Sequence, residues 1–506
     1  MKGLLSTAAS RAWLGVMIVG LIVVAIVIGL RLVPRLSAGQ SLVDATTPVM
    51  TDQAVAGEVA GTRLLSRYVD LADPLLTKGG GASEVSTLIS TIARRTGGSQ
   101  RRARALLRRA APHTEALLRA LPFSGIVRER DGLTGYLSSA LNITEEELQG
   151  LLASSFPRLF ATLSELPGVT SGWRNVPGMQ GLTRFDGGAV VKTVPDYRDY
   201  LRDDLIGVLR TEHERVQALA GSGGVGTIPI VLLVLGGVLA AFGLLHARWS
   251  VNGPSGKVAW GFVAALGVVT MATVGALALF PRLNDAERTL DVLQPAFAER
   301  RTGPTRAGID LVAQSVRFGD PIMTAAGGAA AEVPKLVALV ADRTGQSRER
   351  VRARLADAAP RTSALLEAIP LSAVATELPR LLAVLSRELG MGGDRLVATL
   401  RRRTPGLAQA ILAVGPVTAG WRQIPGTQEL TRLDTATPVR TIPELADYLD
   451  KDVVPLIEAE GRDFERFAGP WPPIDVLPAI VLAIGVLLTI YATAMLFLVT
   501  KPPPRY

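Results

Sequence analysis

The chain has 506 residues, with 54 lysines and arginines against 45 aspartates and glutamates and no cysteine, for a formal charge of +9. Without thiols it can form no disulfide, no thiolate nucleophile and no thiolate-ligated metal centre. The excess of base does not point to a nucleic-acid partner, because its placement along the chain follows membrane topology instead.

Four stretches, Ala12–Leu30, Thr227–Ala247, Val258–Pro281 and Val476–Val499, contain no Asp, Glu, Lys or Arg. Each can cross a hydrocarbon core of about 30 Å at roughly 1.5 Å per residue. A single charge at the centre of such a helix costs about 2.5–3.5 kcal/mol, so four charge-free runs predict four transmembrane helices. Their expected bounds are 12–34, 226–247, 258–281 and 475–499. The first run exceeds the roughly 7–15 residues of a signal-peptide core and is expected to remain as an anchor.

The segments 1–11, 248–257 and 500–506 carry Lys2, Arg11, Arg248, Lys257, Lys501 and Arg505 and no acid. Positive-inside asymmetry therefore predicts a multi-pass protein of the plasma (inner) membrane with both termini and the 248–257 loop in the cytoplasm. The large segments 35–225 and 282–474 then lie on the extracytoplasmic side. Both are nearly neutral, with 22 basic and 20 acidic residues in the first and 25 and 24 in the second.

These segments repeat one another. Gly172-Trp173-Arg174-Asn175-Val176-Pro177-Gly178 returns as Gly420-Trp421-Arg422-Gln423-Ile424-Pro425-Gly426, Leu182–Asp186 as Leu430–Asp434, and Thr193–Asp196 as Thr441–Glu444. Val33–Leu36 pairs with Phe280–Leu283, with a one-residue slip in register between Pro74 and Glu84. The expected fold is an all-α membrane protein: four transmembrane helices with two tandemly duplicated helical extracytoplasmic domains. A shorter echo places Pro112 and Pro122 against Pro157 and Pro167, and Pro360 and Pro370 against Pro405 and Pro416. It suggests four helical units, two per domain.

Within 83–122 the apolar residues Val85, Leu88, Ile89, Ile92, Leu106, Leu107, Leu117, Leu118 and Leu121 follow a helical period. Ser99, Ser347 and Thr144 with Glu147 read as N-caps, and Thr193-Val194-Pro195-Asp196 as a helix start. Extended pieces at Gly187–Thr193 and Thr435–Thr441 are minor. Ala220–Gly226 and Gly469–Pro473 read as joints between domain and membrane.

No motif demands catalysis. Gly221–Gly226 matches GxGxxG but lies between a charged helix and a span, where a linker is the plainer reading. Gly253–Lys257 lacks P-loop spacing. His113, His213 and His246 lack metal-ligand spacing, and His113 reads as a surface or capping residue. Carboxylates such as Asp203/Asp204 and Glu145–Glu147 sit on charge-rich helices and read as solvated faces. No cofactor or metal is expected. The spans carry no ionisable group apart from His246 at an edge, which disfavours ion-coupled transport. Gly236/Gly237 with Ala240/Ala241, and Gly261 with Ala264/Ala265, suit close helix contact.

Two features remain as candidate partner or lipid sites. Arg94, Arg95, Arg101, Arg102, Arg104, Arg108 and Arg109 follow one another without an intervening acid and could attract anionic headgroups or an envelope polyanion, although a solvated face is the simpler reading. The matching run Arg343–Arg354 is interrupted by Glu349. Trp173 and Trp421 are either indoles packed at a turn beside Arg184–Asp186 and Arg432–Asp434, or aromatic anchors for a partner. Ala, Gly and Arg abundance suits a GC-rich bacterial genome. The expectation is a non-enzymatic envelope scaffold or accessory subunit, with membrane lipid and protein partners or a homo-oligomer. The alternatives are an extracytoplasmic sensor that signals through a separate partner, and an accessory subunit of a lipid or polymer export system.

Overall fold

The computed structural model describes residues 8–77, 81–220, 225–249, 254–276, 278–324, 328–469 and 473–500. Lys2, Lys501, Arg505, residues 250–253 of the 248–257 loop and the glycine and proline cores of the two expected joints lie outside the described residues. Among those described, the regular structure is helical, and backbone pairing is limited to the bridges Thr183–Val190 and Thr431–Pro438. One partner of each bridge, Val190 and Pro438, falls in an expected extended piece, and the other, Thr183 and Thr431, lies just ahead of it. The chain divides into two compact units, each drawing on both halves of the sequence.

The first unit comprises Met1–Asp52, Thr211–Glu299 and Leu456–Tyr506. It holds four helices long and apolar enough to cross a bilayer: Ser10–Gly29, Ile228–Trp249, Gly256–Ala276 and Ile474–Leu498. The chain is thus a multi-pass membrane protein. The first and third spans stop at Gly29 and Ala276, short of the expected residues 34 and 281. Left-handed residues cause both stops, Arg31 at φ 51° and Ala278 at φ 47°. New helices, Leu32–Thr46 and Leu279–Phe297, begin just after them. Pro34 and Pro281 fall in the first turns of these helices, where a missing N–H costs no intrahelical bond.

The first span packs on the second and the third on the fourth. Glycine lets the backbones touch: a Cβ on Gly20 would lie 2.4 Å from Ala240 N, and one on Gly267 would lie 2.8 Å from Gly485 O. Gly236 belongs to this seam, whereas Gly237 and Gly261 face open space, so the expected Gly261 contact is made by Gly267 instead. Trp13 and Trp260 stack with ring centroids 3.8 Å apart and join the two pairs. Arg35 is buried and donates to Phe467 O at 2.9 Å and Ala468 O at 3.0 Å, closing the C-terminus of the Val454–Ala468 helix.

The second unit comprises Gln53–Arg210 and Arg300–Pro455. The sequence reading expected two separate domains, 35–225 and 282–474. The structure instead gathers the greater part of both segments into this one unit. Ser99, Ser347 and Thr144 cap their helices as expected, and Thr144–Glu147, Thr193–Asp196 and Thr441–Glu444 form reciprocal capping boxes.

Four other helices, Pro112–Ala120, Pro157–Gly172, Pro360–Ala368 and Pro405–Gly420, open on the repeated prolines. The residue ahead of each, Ala111, Phe156, Ala359 or Thr404, makes no side-chain cap. A glutamate from the other half takes its place. Glu377 accepts from His113 N at 3.1 Å and Thr114 N at 3.0 Å, and Glu129 accepts from Arg361 N at 2.8 Å and Thr362 N at 2.9 Å. Glu84 accepts from Gly406 N at 3.1 Å and Leu407 N at 2.8 Å, and Glu332 from Arg158 N at 3.2 Å and Leu159 N at 2.8 Å. Each carboxylate answers orphan donors and the positive end of a helix dipole. The packing is reciprocal as well: Gly172 abuts Leu311 as Gly420 abuts Leu64.

Replacing Glu377 or Glu129 by alanine is expected to lower stability by about 1–2 kcal/mol each, the usual scale for a lost N-cap. Glu146→Ala, on an exposed face, should change it little. Thermal unfolding of the detergent-solubilised chain checks this; equal Tm values for all three variants would contradict the capping role.

Candidate functional site

The arginine run lies at the end of the Gly81–Arg95 helix and along the Gln100–Ala110 helix. Ala103, Leu107 and Ala110 recur at steps of three and four and are buried, so the remaining positions turn outward. Arg94, Arg95, Arg101, Arg102, Arg108 and Arg109 are exposed and Arg104 is partly so. One acid serves two of the seven. Glu115 is buried, and lies 3.9 Å from Arg104, 3.5 Å from Arg108 and 3.0 Å from Arg119, which also pairs with Glu367. Arg94, Arg95, Arg101, Arg102 and Arg109 make no ion pair among the described residues.

A third helix, Gly393–Arg403, packs against Gly81–Arg95 and brings exposed Arg395, Arg401, Arg402 and Arg403. The three helices together hold eleven arginines and two acids, Glu84 and Asp394. The position-matched set, Val333–Thr344, Arg348–Ala358 and Glu145–Ser155, holds six basic and six acidic residues. Helix geometry is shared and charge is not. The basic set can bind anions through unpaired guanidinium forks that match carboxylate and phosphate geometry.

Trp173 and Trp421 are fully buried. Their indole N–H groups donate to Asp73 at 2.8 Å and Asp320 at 2.9 Å, and the adjoining Arg174 and Arg422 bind the same two carboxylates at 3.0 Å. Neither ring is presented at the surface. Arg184 and Arg432 are not the tryptophans' partners: Arg184 pairs with Asp204 at 2.7 Å, and Arg432 with Asp452 and Asp434. Asp73 escaped the sequence reading because it stands at the edge of the register slip. His113 uses Nδ1 to meet Glu377 at 2.7 Å, a capping role. Burial opposes the charge on Glu377, but hydrogen bonds from His113 and Thr114 hold its pKa below the ordinary value. Among the described residues no group of three or more potential ligands could hold a metal.

Sequence reasoning also missed Glu58. This carboxyl is buried; Tyr448 Oη donates to Oε1 at 2.6 Å, and Oε2 has no partner. Burial pushes its pKa up from 4.5 to about 7, against the pull of the Tyr448 hydrogen bond. The position-matched pair is neutral, Tyr200 Oη lying 3.5 Å from Thr305 Oγ1. No family model, curated protein or solved structure matches the chain.

A carboxyl with a raised folded pKa favours folding fully below the unfolded value and loses that advantage as pH rises through the folded value. Glu58 should therefore cost stability between pH 4.5 and about 7 and above, by roughly 3 kcal/mol at 1.36 kcal/mol per pKa unit. Glu58→Gln is expected to remove that part of the pH dependence. Unfolding midpoints from pH 5 to 9 test it, and identical profiles for both proteins would refute the assignment.

Proposed function

We propose that the chain is a non-enzymatic scaffold or accessory subunit of a bacterial cell envelope that engages an anionic envelope polymer through its arginine-rich helices. In this reading it is a tandem duplication in the plasma membrane, with both termini cytoplasmic and the second unit outside. The carrying observation is the eleven-to-two charge balance of Gly81–Arg95, Gln100–Ala110 and Gly393–Arg403 against the even balance of the matched helices. Because the matched set forms the same helices without that charge, folding does not require it. Clustered charges within a Debye length of about 8–10 Å reinforce one another, so they attract a polyanion more strongly than a single charge. The six cations of the acid-free segments support the orientation.

Binding is measured on the full chain in nanodiscs of zwitterionic lipid, with long-chain polyphosphate as the probe. The expected result is tight binding that falls steeply with salt. Replacing Arg94, Arg95, Arg101, Arg102 and Arg109 by glutamine should weaken it at least tenfold and flatten the salt dependence. The matching change of Arg343, Arg348, Arg350, Arg352 and Arg354 should have a smaller effect. Equal binding by all three proteins would remove the reading.

The cysteine-free chain also permits a single label. Arg130→Cys is exposed and should react with an impermeant thiol reagent added to intact cells. Reaction only after the membrane is opened would reverse the orientation.

A further inference from the structure

A second basic feature lies outside the arginine-rich helices. Val59, Thr62 and Arg63 of the Asp52–Leu76 helix face Arg202, Asp203, Ile206, Gly207 and Arg210 across a cleft of about 340 Å³. Its size matches the lower end of the roughly 300–1,000 Å³ typical of small-molecule sites. Two apolar pockets of the same unit are much smaller, at about 30 and 80 Å³. Arg202 and Asp203 sit in a π-helical turn, Tyr200–Leu205. Such wide turns re-aim side chains and recur at functional sites.

The cleft carries three guanidinium groups and one carboxylate. Asp203 is bound to Arg202 at 2.7 Å, and that hydrogen bond lowers its pKa below the ordinary value. Arg202 is held further by Asp199 at 3.2 Å, so its guanidinium is fixed in place. Arg63 makes no ion pair among the described residues and is exposed to the cleft. Arg63 thus presents a positive charge to the cleft beside the Arg202 ion pairs.

The matching positions in the other half carry the opposite charges. Asp310 stands for Arg63, Asp450 for Arg202, Lys451 for Asp203 and Glu458 for Arg210. The π turn recurs there as Leu449–Val453. Burial, and then the nearby Asp450, raise the pKa of Asp310. One backbone thus accepts both charge sets, and packing does not dictate either. A solvated face explains scattered charges, but not this position-by-position reversal around a cleft.

We propose that the cleft formed by Arg63, Arg202, Arg210 and Thr62 is a binding site for a phosphate-bearing small ligand. Arginine forks suit phosphate oxygens, and Thr62 adds a hydroxyl. The phosphate can come from a soluble phosphate ester or from a phospholipid headgroup; the chemistry is shared. The site is independent of the arginine-rich helices, so each can fail alone.

The test uses the full chain in zwitterionic nanodiscs, titrated calorimetrically with inorganic phosphate and with pyrophosphate. Saturable binding at millimolar concentration or below is expected. Arg63→Ala should weaken it at least tenfold, Arg63→Lys should retain part of it, and Asp310→Asn, at the mirrored position, should leave it unchanged. The same titrations in the glutamine background of the arginine-rich helices assign the binding: a loss on Arg63→Ala there places it in the cleft, whereas its disappearance in the glutamine background alone overturns the proposal. If phospholipid is the source, nanodiscs containing phosphatidylglycerol will show weakened pyrophosphate binding to the wild-type protein and no further loss in Arg63→Ala. If a soluble ester is the source, lipid composition will not matter. Absence of saturable binding, or binding that Arg63→Ala does not alter, overturns the proposal.

Discussion

Four helices of the second unit begin without a side-chain cap of their own, and their free N–H groups are closed by glutamates from the opposite half of the chain. The rest of the architecture follows from this exchange. An unsatisfied buried N–H costs about as much as a lost hydrogen bond, and each of these carboxylates meets two. Ala111, Phe156 and Ala359 cannot supply the bond locally. Glu84, Glu129, Glu332 and Glu377 therefore tie the halves together at matched points, as an isologous interface does between the subunits of a twofold dimer. Here the two surfaces belong to one chain, so their mutual concentration is set by the chain itself rather than by expression level.

Much of the local structure was legible in the sequence because it depends on neighbours. Charge-free runs marked the spans, Ser99 and Thr144 marked helix starts, and the spacing of Pro112 and Pro157 marked two first turns. What was not legible depends on pairing across hundreds of residues. A helical period is the same whether a helix packs on its own half or on the other, so two separate domains were expected where one unit stands. Glu115 was hidden from the arginine run by a helix break, and Asp73 from Trp173 by the slip in register. Arg31 and Ala278 gave no glycine signal for their left-handed breaks, so the first and third spans looked longer than they are. Glu58 resembled any helical glutamate until the fold placed Tyr448 above it.

The two halves agree where the backbone needs them and differ where it does not. Capping glutamates, buried tryptophans and π turns recur at matched positions. Surface charge does not. The helices bearing Arg101 and Arg401 are strongly basic while their counterparts are balanced, and where Arg63 and Arg202 line a cleft the matching positions hold Asp310 and Asp450. A symmetric frame with asymmetric electrostatics lets one fold offer two chemically distinct surfaces without altering its core. This is why the proposed functions fall on charged side chains and not on the aromatic ones.

The capping exchange also constrains how the protein is made. Glu377 lies 264 residues after the His113 amide that it closes. At a synthesis rate of about 5–20 residues per second, the ribosome needs roughly 10–50 s to deliver it. During that interval the nascent first half carries open helix ends and an uncovered apolar face. The exchange of caps between the halves can therefore begin only once Glu332 has been added, about two-thirds of the way along the chain.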